Sequence, residues 1–295
     1  MTRLLYDRIT TKYELGDFSS GKVYLDQLAG IVKPLPREPR FEWAISALMI
    51  PYVARITGAV DRFETAQSAV DSILSTPTVL HAFKLAARNG LALAAVMKGD
   101  DSSAREQYQW LATQSRGMAG ISSDRVLGLL SQTMGELDQA SHHFEDGLVY
   151  CRDSGYRPEL AWVCHDYAEM LLERNTAGGL AKPVDLLNES ASISSELGMR
   201  PLSARSAALQ EKAESVAARV LAFPDGLTQR EVDVIRLVTS GRTDREIAGE
   251  LVIEVRTVTT HVGNILNKTV AANRAEAASY ANQRGLVIPD SDVSC

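Results

Sequence analysis

The feature that most constrains how this chain can fold is a glycine turn that recurs about every 40 residues between apolar, helix-like segments. The turns stand at Gly16, Gly58, Gly99 and Gly135, with spacings of 42, 41 and 36 residues, and a further turn is expected at 175–179. Prolines are sparse and the alternation typical of strands is absent. A period of this length, built from two helices, predicts an all-α chain that begins as an α-solenoid.

The clearest repeat follows Gly135. Ala140 stands where paired helices approach most closely, and Phe144 and Leu148 follow it at i+4 and i+8, which predicts one buried stripe. Ala104 and Ala181 occupy similar places in neighbouring units. The pattern resembles tetratricopeptide-type repeats with several degenerate positions, and a generic helical bundle is the alternative.

Composition excludes several classes of protein. The chain has 295 residues, 45% of them apolar, and no run of 18 apolar residues that would predict a membrane span. Asp7 interrupts the stretch that a signal peptide would need. The cysteines Cys151, Cys164 and Cys295 lack metal-type spacing and are interpreted as reduced thiols. We therefore expect a cytoplasmic protein.

The pattern changes after a break at 222–226. Thr228 and Glu231 predict a capping box at the start of a helix that ends at Gly241, and Thr243 and Glu246 predict a second one. The start of the second helix directs unpaired N–H groups outward, which suits a phosphate. A third helix is expected to run to about Lys268, and a fourth from Arg274 to Arg284.

The third helix has two faces. Val258, Val262 and Ile265 form the inner one, and helical spacing puts a polar set on the opposite side: Arg256, Thr259, Thr260, Gly263 and Asn267. A short helix, a tight turn and a helix with a polar outer face are typical of proteins that read the major groove.

This segment resembles the LuxR-type (NarL/GerE) DNA-binding domain over nearly its whole length. The matching residues are Leu227-Thr228-x-Arg230-Glu231, Gly241, Glu246-Ile247-Ala248, Leu251, Thr257-Val258-x-x-His261-Val262, Asn264-Ile265, Lys268, Asn273-Arg274-x-Glu276-Ala277 and Gly285-Leu286. We accordingly predict a repeat domain at 1–221, a four-helix DNA-binding domain at 222–287 with its helix-turn-helix core at 243–268, and a tail at 288–295. Repeats followed by this domain resemble the C-terminal part of large, ATP-binding MalT-like regulators.

The resemblance implies roles for individual residues. Thr257 would hold a phosphate, Thr259, Thr260 and Gly263 would face base edges, and Lys268 and Arg274 would lie near the DNA backbone. The full set predicted to contact DNA is Thr243, Arg245, Arg256, Thr257, Thr259, Thr260, Gly263, Asn264, Asn267, Lys268 and Arg274. The set predicted to hold the domain together is Glu231, Ile247, Ala248, Val258, His261, Val262 and Ile265.

Departures from the family pattern bear on affinity and target. Glu254 stands where the family usually has a serine-type helix cap, and Thr259 stands where it often has lysine. Gly263 offers no side chain. Arg256 is then the strongest candidate for contacting a base or phosphate. The net charge is −6, and residues 226–287 carry 8 basic and 7 acidic residues. Phosphate neutralisation dominates DNA affinity, so one nearly neutral copy should bind weakly, which favours a dimer.

Other motifs do not support an enzyme, a cofactor or a metal site. The segment from Gly16 to Val23 fits a P-loop except that Val23 lacks the hydroxyl needed for Mg²⁺. The neighbours His142 and His143 point about 100° apart on a helix and are interpreted as a solvated face. The run 164–166 (Cys-His-Asp) does not converge on one face of a helix.

Two functions remain open from the sequence. In the first, the chain is a sequence-specific regulator of transcription that binds duplex DNA as a homodimer, while its repeats bind a protein or small effector. In the second, it is a protein-interaction scaffold with a degenerate helix-turn-helix.

Overall fold

The computed structural model describes residues 2–32, 40–118, 120–174, 180–221 and 223–286, and every regular element in these ranges is a helix. The all-α prediction is therefore confirmed. The expected turn at 175–179, Ala222 at the expected domain break, Val287 and the tail at 288–295 lie outside the described residues. No helix within the described ranges is both long and apolar enough to cross a membrane.

The chain forms two compact units, Met1–Gln210 (the N-terminal unit) and Glu211–Cys295 (the C-terminal unit). The division falls inside a long helix, and the domain limits at 221/222 stay a prediction. The N-terminal unit contains α1 (Thr2–Glu14), α2 (Phe18–Val32), α3 (Phe41–Thr57), α4 (Phe63–Leu74), α5 (His81–Lys98), α6 (Asp101–Leu111), α7 (Ser123–Thr133), α8 (Leu137–Ser154), α9 (Arg157–Arg174), α10 (Ala181–Glu196) and the start of α11 (Arg200–Leu221).

The C-terminal unit contains the rest of α11, a 3₁₀ turn at Pro224–Gly226, α12 (Gln229–Thr239), α13 (Asp244–Leu251), α14 (Val255–Thr269) and α15 (Arg274–Gln283). These four last helices pack around twelve buried apolar residues. The helix-turn-helix is α13 and α14.

The four glycines that set the sequence period each join two consecutive helices. Gly16, Gly58, Gly99 and Gly135 have φ of 74°, 78°, 62° and 76°, the left-handed region in which a side chain is strained. They separate α1 from α2, α3 from α4, α5 from α6 and α7 from α8. This is the arrangement expected for stacked helix pairs, although the tetratricopeptide-like identity of the pairs stays a prediction.

The expected stripe on α8 lies in the main core, since Ala140 and Phe144 are fully buried and Leu148 nearly so. Phe144 stacks on Tyr167 of α9 with ring centroids 5.3 Å apart. A Cβ added to Gly128 of α7 would come within 2.9 Å of the Phe144 ring. The small residue on α7 therefore admits the large one on α8.

In the N-terminal unit, the first turns of α11 contact the C-terminal ends of α1 and α3. Arg200 of α11 donates through Nε to the carbonyl of Leu15 over 2.8 Å. The backbone of Gly16 lies against the Pro201 ring. Arg205 donates to the carbonyls of Arg55 and Ile56 at the end of α3. Backbone carbonyls left free at helix ends are thus satisfied by arginines from α11.

Ion pairs are buried inside the N-terminal unit. Arg125 of α7 donates through Nε to Asp166 over 2.8 Å and through Nη1 to Glu159 over 3.1 Å, both on α9. Arg55 of α3 donates to the second oxygen of Asp166 over 2.7 Å. The Arg125 guanidinium lies 4.9 Å from the centroid of the Trp162 ring. Burial alone would raise the pKa of Asp166, but Arg55 and Arg125 hold it well below its usual value.

A buried carboxylate lies beside this group. Glu14 of α1 accepts the Trp162 indole N–H over 3.0 Å and the Tyr52 hydroxyl hydrogen. Burial raises the pKa of Glu14, and these two hydrogen bonds oppose that shift. The centre of the N-terminal unit therefore contains a polar group that is hydrogen-bonded across four helices.

Candidate nucleic-acid interface

The first helix of the C-terminal unit begins at a capping box. The Thr228 hydroxyl accepts from the backbone N–H of Glu231, and the Glu231 carboxylate accepts from the N–H of Thr228 over 2.8 Å. Glu231 is almost fully buried, and it also accepts from Lys268 of α14 over 2.7 Å. One carboxylate thus fixes the start of α12 and its contact with α14.

A second capping box starts α13. Thr243 and Glu246 repeat the same pair of bonds, with the N–H of Thr243 donating to Glu246 over 2.7 Å. Hydrogen bonds from Thr243 lower the pKa of Glu246. Ile247 and Ala248 are buried against α12 and α14, while Arg245 is exposed. The face of α13 opposite its core contact is therefore open to a partner.

The turn from α13 to α14 stores backbone strain. Val252 has φ 53° and its side chain is 88% exposed. The left-handed conformation is costly for a β-branched residue, and nothing in the core compensates for it here. Glu254 precedes α14 without forming a side-chain cap. The sequence departure at 254 thus leaves the first N–H groups of α14 without the side-chain acceptor that a serine-type residue supplies.

The two faces of α14 differ in burial. Val258 and Ile265 are buried, and Val262 is half-buried beside them. The predicted DNA-facing side chains are exposed or half-buried along the opposite face: Arg256, Thr257, Thr259, Thr260 and Asn267 are exposed, and Gly263 and Asn264 are half-buried. An added Cβ at Gly263 would meet nothing within 4 Å, so this position is open space on the helix surface.

The hydroxyls of Thr259 and Thr260 on this face already have acceptors. Thr260 donates to the carbonyl of Arg256 over 3.0 Å. Thr259 lies 3.2 Å from both the carbonyl of Val255 and the carboxylate of Asp244 on α13. Both oxygens keep lone pairs, and both methyl groups remain available for contact with thymine.

Lys268 and Arg274, which the resemblance puts near the DNA backbone, have partners within the unit. Lys268 Nζ contacts Glu231 and, over 3.0 Å, the carbonyl of Gly226. Arg274 donates to Asp244 over 2.6 Å and to the carbonyl of Arg242. The two cations therefore join α14 to α12 and α15 to α13, and a role on DNA requires them to share or exchange these partners.

His261 lies half-buried on α14, at the edge of the core. Burial lowers its pKa, which favours the neutral imidazole.

Asp244 is the residue of this surface that sequence reasoning missed. It accepts from Thr259 of α14 and from Arg274 of α15, and it is itself the first residue of α13. The signal in the sequence was an acid in the first turn after a capping threonine, which favours a helix start but does not identify partners 15 and 30 residues away.

The near-motifs of the N-terminal unit do not form reactive sites. Asp17 caps α2 by accepting from the N–H of Ser20, and Gly21 and Lys22 lie within that helix, so no phosphate-binding loop exists there. Cys164 is buried, burial raises its pKa well above the usual thiol value, and its thiol donates to Glu189. The expectation that the run 164–166 does not converge is wrong for His165 and Asp166, since His165 Nδ1 lies 3.3 Å from Asp166. The interpretation of the two neighbouring histidines is right for exposed His142 and wrong for His143, which is buried.

Comparison with known proteins agrees with the geometry of the C-terminal unit. The family model for LuxR-family bacterial regulatory proteins (GerE) matches residues 225–281. The transcriptional regulatory protein LiaR of Bacillus subtilis is 43% identical over 63 residues, which cover 21% of this chain and 30% of LiaR. The response regulator protein VraR of Staphylococcus aureus is 41% identical over 61 residues, covering 21% of this chain and 29% of VraR.

The similarity to these relatives is thus confined to less than a third of their length. No solved structure matches the chain. The tetratricopeptide-like and MalT-like resemblance of the first 221 residues stays a prediction.

Proposed function

We propose, from the premise that residues 225–281 form a LuxR-family helix-turn-helix domain, that this chain is a sequence-specific, DNA-binding regulator of transcription. The observation that carries the proposal is α14, whose apolar side is buried while Arg256, Thr259 and Thr260 stand exposed on the other. A helix with one buried apolar face and one exposed polar face, preceded by a capped short helix, fits the major groove.

The chemistry of this face suggests how a duplex would be read. Arg256 is the long cationic side chain of the face and suits a bidentate contact with guanine or a clamp on phosphate. Thr259 and Thr260 suit contact with thymine methyl groups. The exposed N-terminal end of α13, with Thr243 and Arg245, suits a phosphate.

We further propose that two copies bind together on DNA. Residues 226–287 have nearly balanced charge, so one copy neutralises few phosphates. Two copies double the number of contacts and give each half-site a share of the binding energy. The N-terminal unit, with its stacked helix pairs, would bind the protein or small effector that controls this assembly.

Selection from a random duplex library with the full chain tests the proposal without knowledge of the operator. We expect enrichment of a site with two related halves, bound by two chains, with an affinity that falls steeply as salt rises. Arg256→Ala should weaken binding to the selected site by about 1–3 kcal/mol. Arg105→Ala, an exposed arginine of α6, is the matched control and should leave binding unchanged.

One set of observations favours the second candidate, an interaction scaffold with a degenerate helix-turn-helix. The hydroxyls of Thr259 and Thr260 are already bonded, and Gly263 contributes no side chain. For a scaffold, the library would yield no common sequence, and Arg256→Ala and Arg105→Ala would have the same small effect. That pair of results would overturn the regulator proposal.

A further inference from the structure

A cluster outside the DNA-binding surface brings together three side chains that bind metals elsewhere in proteins. Asp124 lies in the first turn of α7, and His143 and Asp146 lie one helical turn apart on α8. One donor atom from each falls within 4.8 Å of the others. The i, i+3 spacing of His143 and Asp146 directs both to the same side of α8.

His143 has an unused ring nitrogen that is buried. Its side chain is 5% exposed, and its Nε2 is 2.9 Å from the Tyr108 hydroxyl of α6. Nδ1 has no hydrogen-bond partner, and it faces Asp124 Oδ1 from 4.0 Å. That gap is too long for a hydrogen bond. It exceeds by about 0.6 Å the separation of two ligands in a tetrahedral zinc site with bonds of about 2.0–2.2 Å, so a small movement of either side chain would let both bind one ion.

The carboxylates of the cluster are already arranged around a cation. Arg116, in the segment before α7, lies 2.8 Å from Asp124 Oδ1 and also pairs with Asp146. The contact between Arg116 and Asp124 Oδ1 lacks the geometry of a hydrogen bond, and Oδ1 is buried without a hydrogen-bond partner. Asp124 is 5% exposed whereas Arg116 is 45% exposed. The guanidinium thus approaches from solvent and has room to leave.

We propose that Asp124, His143 and Asp146 form a binding site for a divalent transition-metal ion of the Zn²⁺ type, and that the ion displaces the Arg116 side chain. One imidazole with two carboxylates suits Zn²⁺, whereas Mg²⁺ and Ca²⁺ require oxygen ligands. Tyr108 holds the His143 ring through Nε2, as second-shell partners of metal-bound histidines do. Water supplies the fourth ligand from the solvent side, because His142 does not belong to the group whose donor atoms lie within 4.8 Å of one another.

A second group of the same residue types provides a contrast. His165, Asp166 and Glu169 of α9 also bring their donor atoms within 4.8 Å. Both oxygens of Asp166 are occupied by Arg55 and Arg125, and Arg125 is buried with it. A cation there would have to displace a buried arginine, so this group serves as the internal control.

Titration of the untagged full chain with Zn²⁺ by calorimetry tests the proposal, with Co²⁺ absorption as a report on coordination. We expect one ion per chain, and no binding of Mg²⁺. Asp146→Asn and Tyr108→Phe should each weaken Zn²⁺ binding by roughly 10- to 100-fold. Glu169→Gln, in the contrasting group, should leave it unchanged.

Arg116→Ala keeps the proposal falsifiable if the other variants are poorly folded, because a gain of affinity does not arise from damage. We expect it to tighten Zn²⁺ binding by about five- to tenfold, since a competing cation is lost. Absence of one-to-one binding by the natural chain would overturn the proposal. So would binding seen only in Arg116→Ala, because Arg116 would then fill the site permanently, and so would equal affinities for the natural chain and Asp146→Asn.

Discussion

The N-terminal unit buries Arg125, Glu159 and Asp166 together, whereas the C-terminal unit buries a single carboxylate, Glu231, among its described residues. In the first case, charges from α7 and α9 meet at the centre of the fold, 34 and 41 residues apart in sequence. In the second, Glu231 caps its own helix and receives one lysine at the edge of an apolar core. The buried charges of the N-terminal unit depend on partners from another helix, whereas Glu231 is satisfied first by the start of its own helix and then by Lys268.

This difference predicts how each unit responds to the loss of a cation. Removing one partner of a fully buried pair leaves a charge that neither water nor protein satisfies, which is far costlier than the pair itself is stabilising. Removing a cation from a carboxylate that still accepts backbone hydrogen bonds costs less. The first two changes below test that order, and the third tests a local feature of the C-terminal unit.

The largest effect should come from Arg125→Met. It removes the guanidinium from Glu159 and Asp166 while keeping an apolar chain of similar length, and we expect the free energy of unfolding to fall by about 3–5 kcal/mol. Tryptophan fluorescence measures this directly, because Trp43, Trp110 and Trp162 all lie in the N-terminal unit. Arg105→Met, on an exposed pair, should cost under about 1 kcal/mol.

Adding Glu159→Gln to Arg125→Met sharpens the test. Arg125→Met leaves Glu159 without a cation, whereas Asp166 keeps Arg55. The neutral amide removes the charge at 159, so the double variant should regain part of the lost stability. If Arg125→Met lowers the free energy of unfolding no more than Arg105→Met does, the buried ion pairs do not distinguish the N-terminal unit from the C-terminal unit.

A smaller effect should follow Lys268→Met in the C-terminal unit. Glu231 loses its cation but keeps the hydrogen bonds from Thr228, and we expect a cost of about 1–3 kcal/mol. Hydrogen exchange of the α12 and α14 amides measures it. Arg284→Met, which alters an exposed pair at 3.8 Å from Asp225, is the control and should change exchange little.

Lys268→Met also bears on the predicted phosphate contact. If Lys268 binds DNA, the slope of log affinity against log salt should decrease by about one. An unchanged slope would show that Lys268 pairs with Glu231 and does not contact a phosphate.

The smallest effect, and of opposite sign, should come from Val252→Asn in the turn between α13 and α14. Asparagine tolerates the left-handed conformation that Val252 adopts, so we expect the C-terminal unit to gain about 1 kcal/mol. Val255→Asn, at the first residue of α14 in ordinary helical backbone, should give no gain. Equal responses of the two variants in thermal unfolding would show that the turn is not strained.

The sequence was informative where structure depends on neighbours in the chain. The capping boxes at Thr228 and Thr243 and the glycine turns follow from local rules of backbone geometry and hydrogen bonding, and the structure has them where they were expected. The inner and outer faces of α14 follow from helical periodicity.

The sequence was uninformative where a side chain finds its partner through the fold. His143 read as part of a solvated face because periodicity does not reveal that α6 and α7 cover α8 at that point. The partners of Lys268 and Arg274 were missed for the same reason, since each lies 30 or more residues away. Helical spacing ruled out His142 and His143 as a pair of metal ligands. It did not suggest Asp124 as a ligand, because Asp124 is on another helix.

Asp244 belongs to α13, yet it holds a hydroxyl of α14 and the guanidinium of Arg274. In the proposed regulator, a base that accepts a hydrogen bond from Thr259 competes with this carboxylate, and the cost of that exchange is part of the affinity for each such site. Preference for one base over another at Thr259 then depends on a residue that need not touch DNA. A substitution on the supporting helix would thus change the operator preference while every residue of α14 stays the same.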